Sequence, residues 1–362
     1  MTFVGLDVHK DSISVGVLRP GGDAPDVERI FHDEDSVRRL ITRFPDRALL
    51  RACYEAGPTG YELVRLLRGM GVSCQVIAPA LIPRAPGDKV KTDKRDCRRL
   101  ARLLRAGELV SIRIPTEREE AVRDLCRARA DMVADVQRAR RRMGSFLLRH
   151  GKVYRAGSAW TLTHERWLSS LEFDEPALRS TFCHYRAVVA ARDAELRALE
   201  QDLAQAAREE PFAEPVRRLA AYRGVAELGA LTLATEVCDW RRFAQAPAFM
   251  GFTGLTPSEY SSGSSSRRGR ITKTGPAHLR TQLVESAWAY QHRPIISQRL
   301  RERHDHVPEA TIVRSWQAQL RLCRRFKRLA ARKNDKGVVV VAIARELAGF
   351  LWAEMTAEPA VR

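Results

Sequence analysis

TFVGLDVHKDSISVGVL, residues 2–18, decides the architecture of the first third of the chain. Thr2–His9 is apolar enough for a buried strand. Ser12–Leu18 sets Ile13, Val15 and Val17 against small or polar residues, the two-residue period of a half-buried strand. Working outward, Pro20-Gly21-Gly22 turns the chain, and Asp26–His32 reads as a third strand. Then follow a short helix over Ser36–Phe44, a fourth strand over Ala48–Glu55, a helix over Gly60–Gly69 and a fifth strand over Ser73–Ala78. A further helix starts near Thr92 and ends near Ala106. The order β-β-β-α-β-α-β-α predicts an α/β sheet of mixed direction in which strands one and four are neighbours.

The middle of the chain reads as helical. Thr116-x-x-Glu119 has the form of a capping box. Val122, Leu125, Arg129, Met132, Val136, Ala139, Met143 and Phe146 then recur at alternating steps of three and four. Tyr185, Val189, Arg192, Leu196, Leu199, Leu203 and Ala206 form a second seam. Two such seams fit an antiparallel coiled-coil hairpin, a dimerisation arm or an ordinary helix pair. Arg138, Arg140, Arg141 and Arg142 cluster on the first seam's helix, either as a solvated face or as a contact to a phosphate backbone. The last third reads as helical to about Glu236. A Gly/Ser/Arg-rich segment over Gly251–Gly275 follows, then a basic amphipathic helix over Thr311–Lys333 and an apolar helix over Val338–Met355.

The 362 residues are enough for about two domains. A net charge of +18 and a pI of about 10.2 favour a polyanionic partner, above all nucleic acid. The seven cysteines (53, 74, 97, 126, 183, 238 and 323) are scattered without a Cys-x-x-Cys, which argues against a disulfide framework and a zinc site. No apolar run is long enough to span a bilayer, the N-terminus enters a strand-like run without a secretory leader, and a cytoplasmic protein is expected. There is no Walker-type motif to ask for ATP.

Four carboxylates stand out. Asp7 ends the first strand and Glu55 the fourth. Asp93 and Asp96, three apart, share one face at the start of a helix. If the helix lies over the strand ends, the four converge, and their mutual repulsion is relieved by a divalent cation of the Mg²⁺ type. Taken singly, each is an ordinary turn or cap residue, and Asp93 suits a helix N-terminus on its own.

The second unusual stretch is Thr256–Arg270, TPSEYSSGSSSRRGR. Small residues allow close backbone approach to a ligand, and the arginines can bind phosphate in bidentate fashion. Composition alone favours a flexible, basic phosphate-binding loop. No Ser-His-Asp arrangement is evident nearby, and His278 alone reads as structural.

Gly5-Leu6-Asp7, Glu55-Ala56-Gly57-Pro58-Thr59-Gly60, Lys91-Thr92-Asp93-Lys94-Arg95-Asp96, Gly254–Gly263 and Gly269–Gly275 together resemble the DEDD transposases of insertion-sequence family 110, a group that includes the Piv-like DNA invertases. The resemblance implies a RuvC-like, ribonuclease H-like domain over residues 1–112, a helical coiled-coil linker over 113–212 and a mainly α-helical transposase domain over 213–362. It implies that Asp7, Glu55, Asp93 and Asp96 are catalytic and hold one or two Mg²⁺ ions. It also implies that Ser262, directly before Gly263, is the nucleophile that forms a phosphoserine link to DNA. Ser261, Ser264 and Ser265 are neighbours with which it could be confused. Arg267, Arg268, Arg270 and Lys273 would steady the phosphate, alongside Arg138, Arg140, Arg141 and Arg142 as nucleic-acid contacts. The implied partners are target and donor DNA, a structured noncoding bridge RNA, and further copies of the chain in a dimer or tetramer, with no membrane involved. Where many relatives carry Gly-Ile-Gly, this chain has Arg223-Gly224-Val225-Ala226-Glu227, with one glycine. Two other readings stay open: a RuvC-type metal-dependent junction nuclease in which Ser262 is only a loop residue, and a site-specific DNA invertase.

Overall fold

A computed structural model describes residues 1–83, 92–262, 265–305 and 307–357, with the side chains of residues 261, 262, 265 and 266 not described. It divides into two compact units, Met1–Pro115 and Thr116–Arg362.

The first unit is a five-stranded sheet in the order β3-β2-β1-β4-β5. Its strands are β1 (Thr2–Val8), β2 (Ser12–Leu18), β3 (Asp26–Phe31), β4 (Leu50–Glu55) and β5 (Ser73–Ile77), with helices α1 (Glu34–Thr42), α2 (Glu62–Gly69) and α3 (Asp93–Ala106). β1 pairs antiparallel with β2 and parallel with β4, and β4 pairs parallel with β5. This is the mixed sheet expected, with ribonuclease H-like topology.

Residues 2–18 explain how the layers form. Val4, Leu6, Ile13, Val15 and Val17 enter one core together with Val37, Leu40, Val64 and Leu67 of α1 and α2. On the opposite face Gly5 and Gly16 sit opposite each other in register. A Cβ on Gly5 would stand 2.3 Å from the Cys97 carbonyl oxygen, and one on Gly16 would stand 2.7 Å from the same atom. The two glycines therefore admit the α3 backbone directly onto the sheet. This corrects the half-buried reading of Ser12–Leu18: all seven residues are buried, because α3 covers the small-residue face that the alternation assigned to solvent.

Caps shift the helix starts. Asp33 accepts a hydrogen bond from the Ser36 backbone N–H, so α1 begins two residues before Ser36. Asp46 likewise caps a single 3₁₀ turn over Arg47–Leu49, which delays β4 to Leu50.

The second unit is mostly helical. α4 (Glu117–Arg149) starts at the capping box, with Thr116 and Glu119 bonded reciprocally. It runs antiparallel to α6 (Pro176–Ala206), joined across the pair by Arg129–Glu200 and Arg140–Asp193 ion pairs. Ala139, Met143, Phe146 and Leu147 pack with Leu168 of α5 (Leu162–Ser169) and with Phe182 and Val189 of α6.

The early turns of α4 join a larger core instead. It is built by α7 (Ala213–Ala220), α8 (Glu227–Val237), α9 (Ala246–Phe252), α10 (Ala277–Ala287), α12 (Glu309–Ala330) and α13 (Lys336–Thr356); α11 (Gln298–His304) lies between α10 and α12 in the chain. The stretch read as helical to about Glu236 is two helices, α7 and α8, joined by a turn over 221–226. Gly224 adopts φ +84°, and a Cβ there would stand 2.1 Å from the Ser286 carbonyl oxygen. The single glycine of Arg223–Glu227 thus lets this turn pack against the end of α10. Among the described residues no helix is long and apolar enough to cross a membrane.

The Gly/Ser/Arg-rich segment carries two strands where a flexible loop was expected. β6 (Pro257–Ser262) and β7 (Ser265–Ile271) form an antiparallel hairpin, with Glu259 opposite Arg268, Tyr260 opposite Arg267 and Ser262 opposite Ser265. Composition marked the segment as irregular, but inter-strand pairing orders its described residues as two strands.

Candidate active site

The glycine-mediated seating of α3 sets the geometry of the carboxylates. Thr92 is the N-cap of α3, and Asp93 and Asp96 lie in its first turn, at the positive end of the helix dipole. Two residues on from Gly5, on the same face of β1, stands Asp7. Cys53 of β4 also faces α3, its thiol directed at the Leu100 carbonyl, so Glu55, two residues further, falls on that face as well. Leu6 pairs with Tyr54, which leaves Asp7 and Glu55 at matching ends of adjacent parallel strands.

Among the described residues, the grouping within reach of one ion is Asp7, His9 and Asp93, whose ligand atoms lie within 4.8 Å of one another. His9 Nε2 is 3.2 Å from Asp7 Oδ2 and 3.5 Å from Asp93 Oδ1. Asp96 is buried. One of its oxygens accepts a hydrogen bond from Arg99 at 3.1 Å, and the other, Oδ2, is buried with no hydrogen-bond partner among the described residues. Burial pushes the Asp7 carboxyl above its ordinary range; His9 pulls it down, while Asp93 and Asp96 push it up again.

A carboxylate destabilised by burial and by like charges, beside an orphaned carboxylate oxygen, is what a divalent cation corrects. The oxygen-rich donor set with one imidazole suits such an ion. The structure thus groups Asp7 with Asp93, puts Asp96 close enough to act electrostatically on Asp7, and places Glu55 on the same sheet face at a neighbouring strand end. Sequence reading missed His9. Its signal was the two-residue spacing from Asp7 at a strand end, which keeps both side chains on one face.

In the second unit Ser262 ends β6; its side chain, like those of Ser261 and Ser265, lies outside the described residues, as do Gly263, Ser264 and Lys91. Arg267, Arg268 and Arg270 are exposed on β7, and Arg268 lies 3.7 Å from Glu259 across the hairpin.

The hairpin's base is tightly made. Lys273 takes a left-handed conformation, φ +56°, and its backbone N–H donates to the Gly254 carbonyl at 3.0 Å. A Cβ on Gly254 would lie 2.2 Å from the Thr274 carbonyl oxygen, and one on Gly275 would lie 1.9 Å from that of Phe252. Arg280 donates to both the Thr253 and Thr274 carbonyls, clasping the two ends. The glycines at 254 and 275 are therefore there for close packing beneath the hairpin.

The four arginines of α4 divide between two faces. Arg138, Arg141 and Arg142 line a groove with Ser145, Arg149 and Tyr185. Arg140 turns to the other side, where it pairs with Asp193 and covers the Trp160 ring.

Comparison with known proteins identifies the family. Residues 4–151 match the DEDD transposase family of IS110 type, described as a transposase, and residues 216–303 match the family described as Transposase IS116/IS110/IS902. A Sinorhizobium fredii protein named as a transposase, y4qE, is 41% identical over 354 residues, covering 97% of this chain and 87% of its own length. The transposase for insertion sequence element IS1533 of Leptospira borgpetersenii is 32% identical over 354 residues, covering 92% of this chain and 97% of its own. The transposase for insertion sequence element IS1328 of Yersinia enterocolitica is 24% identical over 298 residues, covering 81% and 85%. With the acidic cluster on its ribonuclease H-like sheet and similarity running nearly end to end, this chain belongs to the IS110/IS116/IS902 family of DEDD transposases, enzymes that cleave and rejoin DNA.

Proposed function

We propose that the chain is an RNA-guided DNA recombinase that cuts, exchanges and reseals strands through a phosphoserine intermediate at Ser262. The observation that carries this reading is the pairing of two features on one chain: a cation-ready carboxylate cluster at Asp7, His9 and Asp93, and a serine-bearing hairpin flanked by exposed arginines.

Asp7, Glu55, Asp93 and Asp96 would hold Mg²⁺, one or two ions, with His9 as a further ligand or as a hydrogen-bond partner that orients Asp7. Bound there, the cation supplies Lewis-acid polarisation of a phosphodiester. The protein's own groups do the rest. Ser262 Oγ attacks the scissile phosphorus, its proton leaves to a base, and the 3′ or 5′ oxygen of the broken strand departs. Arg267, Arg268, Arg270 and Lys273 stabilise the charge that develops on the phosphate. Because the phosphoserine keeps the energy of the broken bond, a free strand end can attack it in turn and reseal the backbone without ATP.

The segmentation into residues 1–112, 113–212 and 213–362 fits this division of labour. The helical arm would serve assembly into dimers and tetramers, as a coiled coil, and the α4 groove of Arg138, Arg141, Arg142 and Arg149 would serve as a phosphate track for RNA or DNA.

The test is reconstitution of strand cleavage with purified protein, Mg²⁺, labelled target DNA and the structured noncoding RNA encoded beside the gene. Cleavage that requires both RNA and Mg²⁺, and that moves to a new target when the RNA's pairing segment is changed, is expected. Cleavage of the same site without RNA would overturn the guidance.

A further inference from the structure

The end of the helical pair carries a pocket that neither the acidic cluster nor the serine hairpin uses. It has a volume of about 420 Å³ and is lined by Arg140, Trp160, Glu165, Arg186, Asp193 and Arg197, among others, within the range of small-ligand pockets.

Trp160 is held in the left-handed backbone region at φ +63°, costly for so large a side chain and a feature that gathers at ligand clamps. The Arg140 guanidinium lies 4.8 Å from the Trp160 ring centroid, fixed there by two hydrogen bonds to Asp193 at 3.0 and 3.1 Å, while its Nε is buried without a hydrogen-bond partner among the described residues. Behind Trp160 the buried His164 sits among aromatic rings, with centroids 5.1 Å from Trp160, 4.9 Å from Tyr154 and 5.4 Å from Trp167, and its Nδ1 is likewise orphaned. Arg197 is exposed and makes no ion pair among the described residues.

The strained indole and the guanidinium laid over it form one planar pair that borders the pocket, a stacking surface for a base. The carboxylates of Glu165 and Asp193 would repel a phosphate in the pocket, but they accept hydrogen bonds from the N–H edge of a base. The arginines supply the complementary donors, and Arg197 can take the flanking phosphate outside. We propose that this pocket receives one unpaired nucleobase of a single-stranded nucleic acid, stacked on the Arg140–Trp160 pair with its polar edge read by Asp193, Glu165 and Arg186. The proposal rests on the chain's handling of nucleic acid, which its family membership carries, and not on the identity of the nucleophile or of the guide. The same chemistry serves a looped-out RNA base or a base of an opened DNA strand.

The test uses short single-stranded oligonucleotides containing 2-aminopurine, one set of RNA and one of DNA, with the full chain and its variants Trp160→Gly, Trp160→Phe and Arg197→Ala. Glycine suits the left-handed backbone at 160, and helical content by circular dichroism checks its fold. Wild-type protein should quench 2-aminopurine. Trp160→Gly should abolish the quenching and weaken binding roughly tenfold, Trp160→Phe should keep most of both, and Arg197→Ala, an exposed change, should weaken binding a few-fold. Quenching confined to the RNA or to the DNA set assigns the source of the base. Oligonucleotide binding without quenching, or quenching equal in Trp160→Gly and wild type, would overturn the pocket while leaving the family function intact. Failure to bind any oligonucleotide would instead strike at the nucleic-acid reading itself.

Discussion

The carboxylate end of the N-terminal sheet is anchored from both sides, whereas Glu259, Tyr260 and residues 267–270 of the serine hairpin stand exposed above a tightly packed base. Asp7 and Asp93 owe their positions to β1 and α3, and α3 seats its backbone directly on Gly5 of β1 and Gly16 of β2. Arg267, Arg268 and Arg270 owe theirs to a two-stranded ribbon. A site that gathers like charges needs a rigid scaffold, because repulsion would otherwise spread them. A segment proposed to meet a DNA backbone needs reach and positive charge more than burial.

If the contrast holds, substitutions should act through chemistry and packing at the first site and through electrostatics at the second. The largest effect is expected from Asp7→Asn, nearly isosteric, which should lower strand cleavage roughly a thousandfold, the equivalent of about 4 kcal/mol, in single-turnover assays.

The same variant sharpens the comparison in stability. Burial raises the Asp7 carboxyl above its ordinary range, so the folded protein bears a penalty that is absent below the unfolded carboxylate range and complete above the folded one. Without divalent ions, Asp7→Asn should therefore melt higher than wild type at neutral pH, with the difference vanishing in acid. Added Mg²⁺ should raise the wild-type melting temperature and leave the variant nearly unmoved. A variant that melts lower at neutral pH would mean that His9 outweighs burial.

Next in size is Gly5→Ala. Its new methyl would meet the Cys97 carbonyl, so α3 must lift, at about 1–3 kcal/mol of stability by denaturant titration, with cleavage falling because Asp93 and Asp96 move. Unchanged activity with lowered stability would separate the packing of α3 from the placement of the acids.

The smallest effect on stability belongs to the hairpin. Changing Arg267 and Arg268 to Gln should leave the melting temperature within about 2 °C. It should flatten the salt dependence of DNA binding by about 1 in log–log slope for each arginine that touches a phosphate. A large loss of stability would show that these side chains hold the fold.

A buried feature of the second unit offers a control. Glu354 is fully buried, and although burial alone would raise its carboxyl, hydrogen bonds from Arg314, Thr311 and Arg218 hold it below the ordinary range. Its contribution is present above the unfolded carboxylate range and is lost as pH falls through the lowered folded value. Acid should thus loosen this core while relieving the strain at Asp7, and Glu354→Ala should cost about 3–5 kcal/mol.

What the sequence made legible follows the same divide. The strand order and the approach of Asp7 to Asp93 could be read because alternation, glycine turns and a helix cap are local signals. The full burial of Ser12, Ser14 and Gly16 was not legible, because a small residue against a helix backbone looks like a solvent-facing one until the helix is placed. His9 was hidden for a related reason: a lone histidine gains meaning only once the strand end beneath it is known. The hairpin was misread as a loop because serine, glycine and arginine mark irregular structure by composition, while a two-stranded ribbon is decided by pairing between them. The arginines of α4 read as one cluster, yet helical geometry sends Arg140 inward to Asp193 and Trp160 and the others outward.

The most direct test of the phosphoserine proposal is a denaturing-gel trap of the reaction with Mg²⁺, the proposed noncoding RNA and labelled target DNA. A covalent protein–DNA adduct is expected that is lost in Ser262→Ala, retained in Ser264→Ala and absent in Asp7→Asn. Nicked DNA without an adduct, at the same rate in Ser262→Ala as in wild type, would contradict it and leave a carboxylate-dependent nuclease.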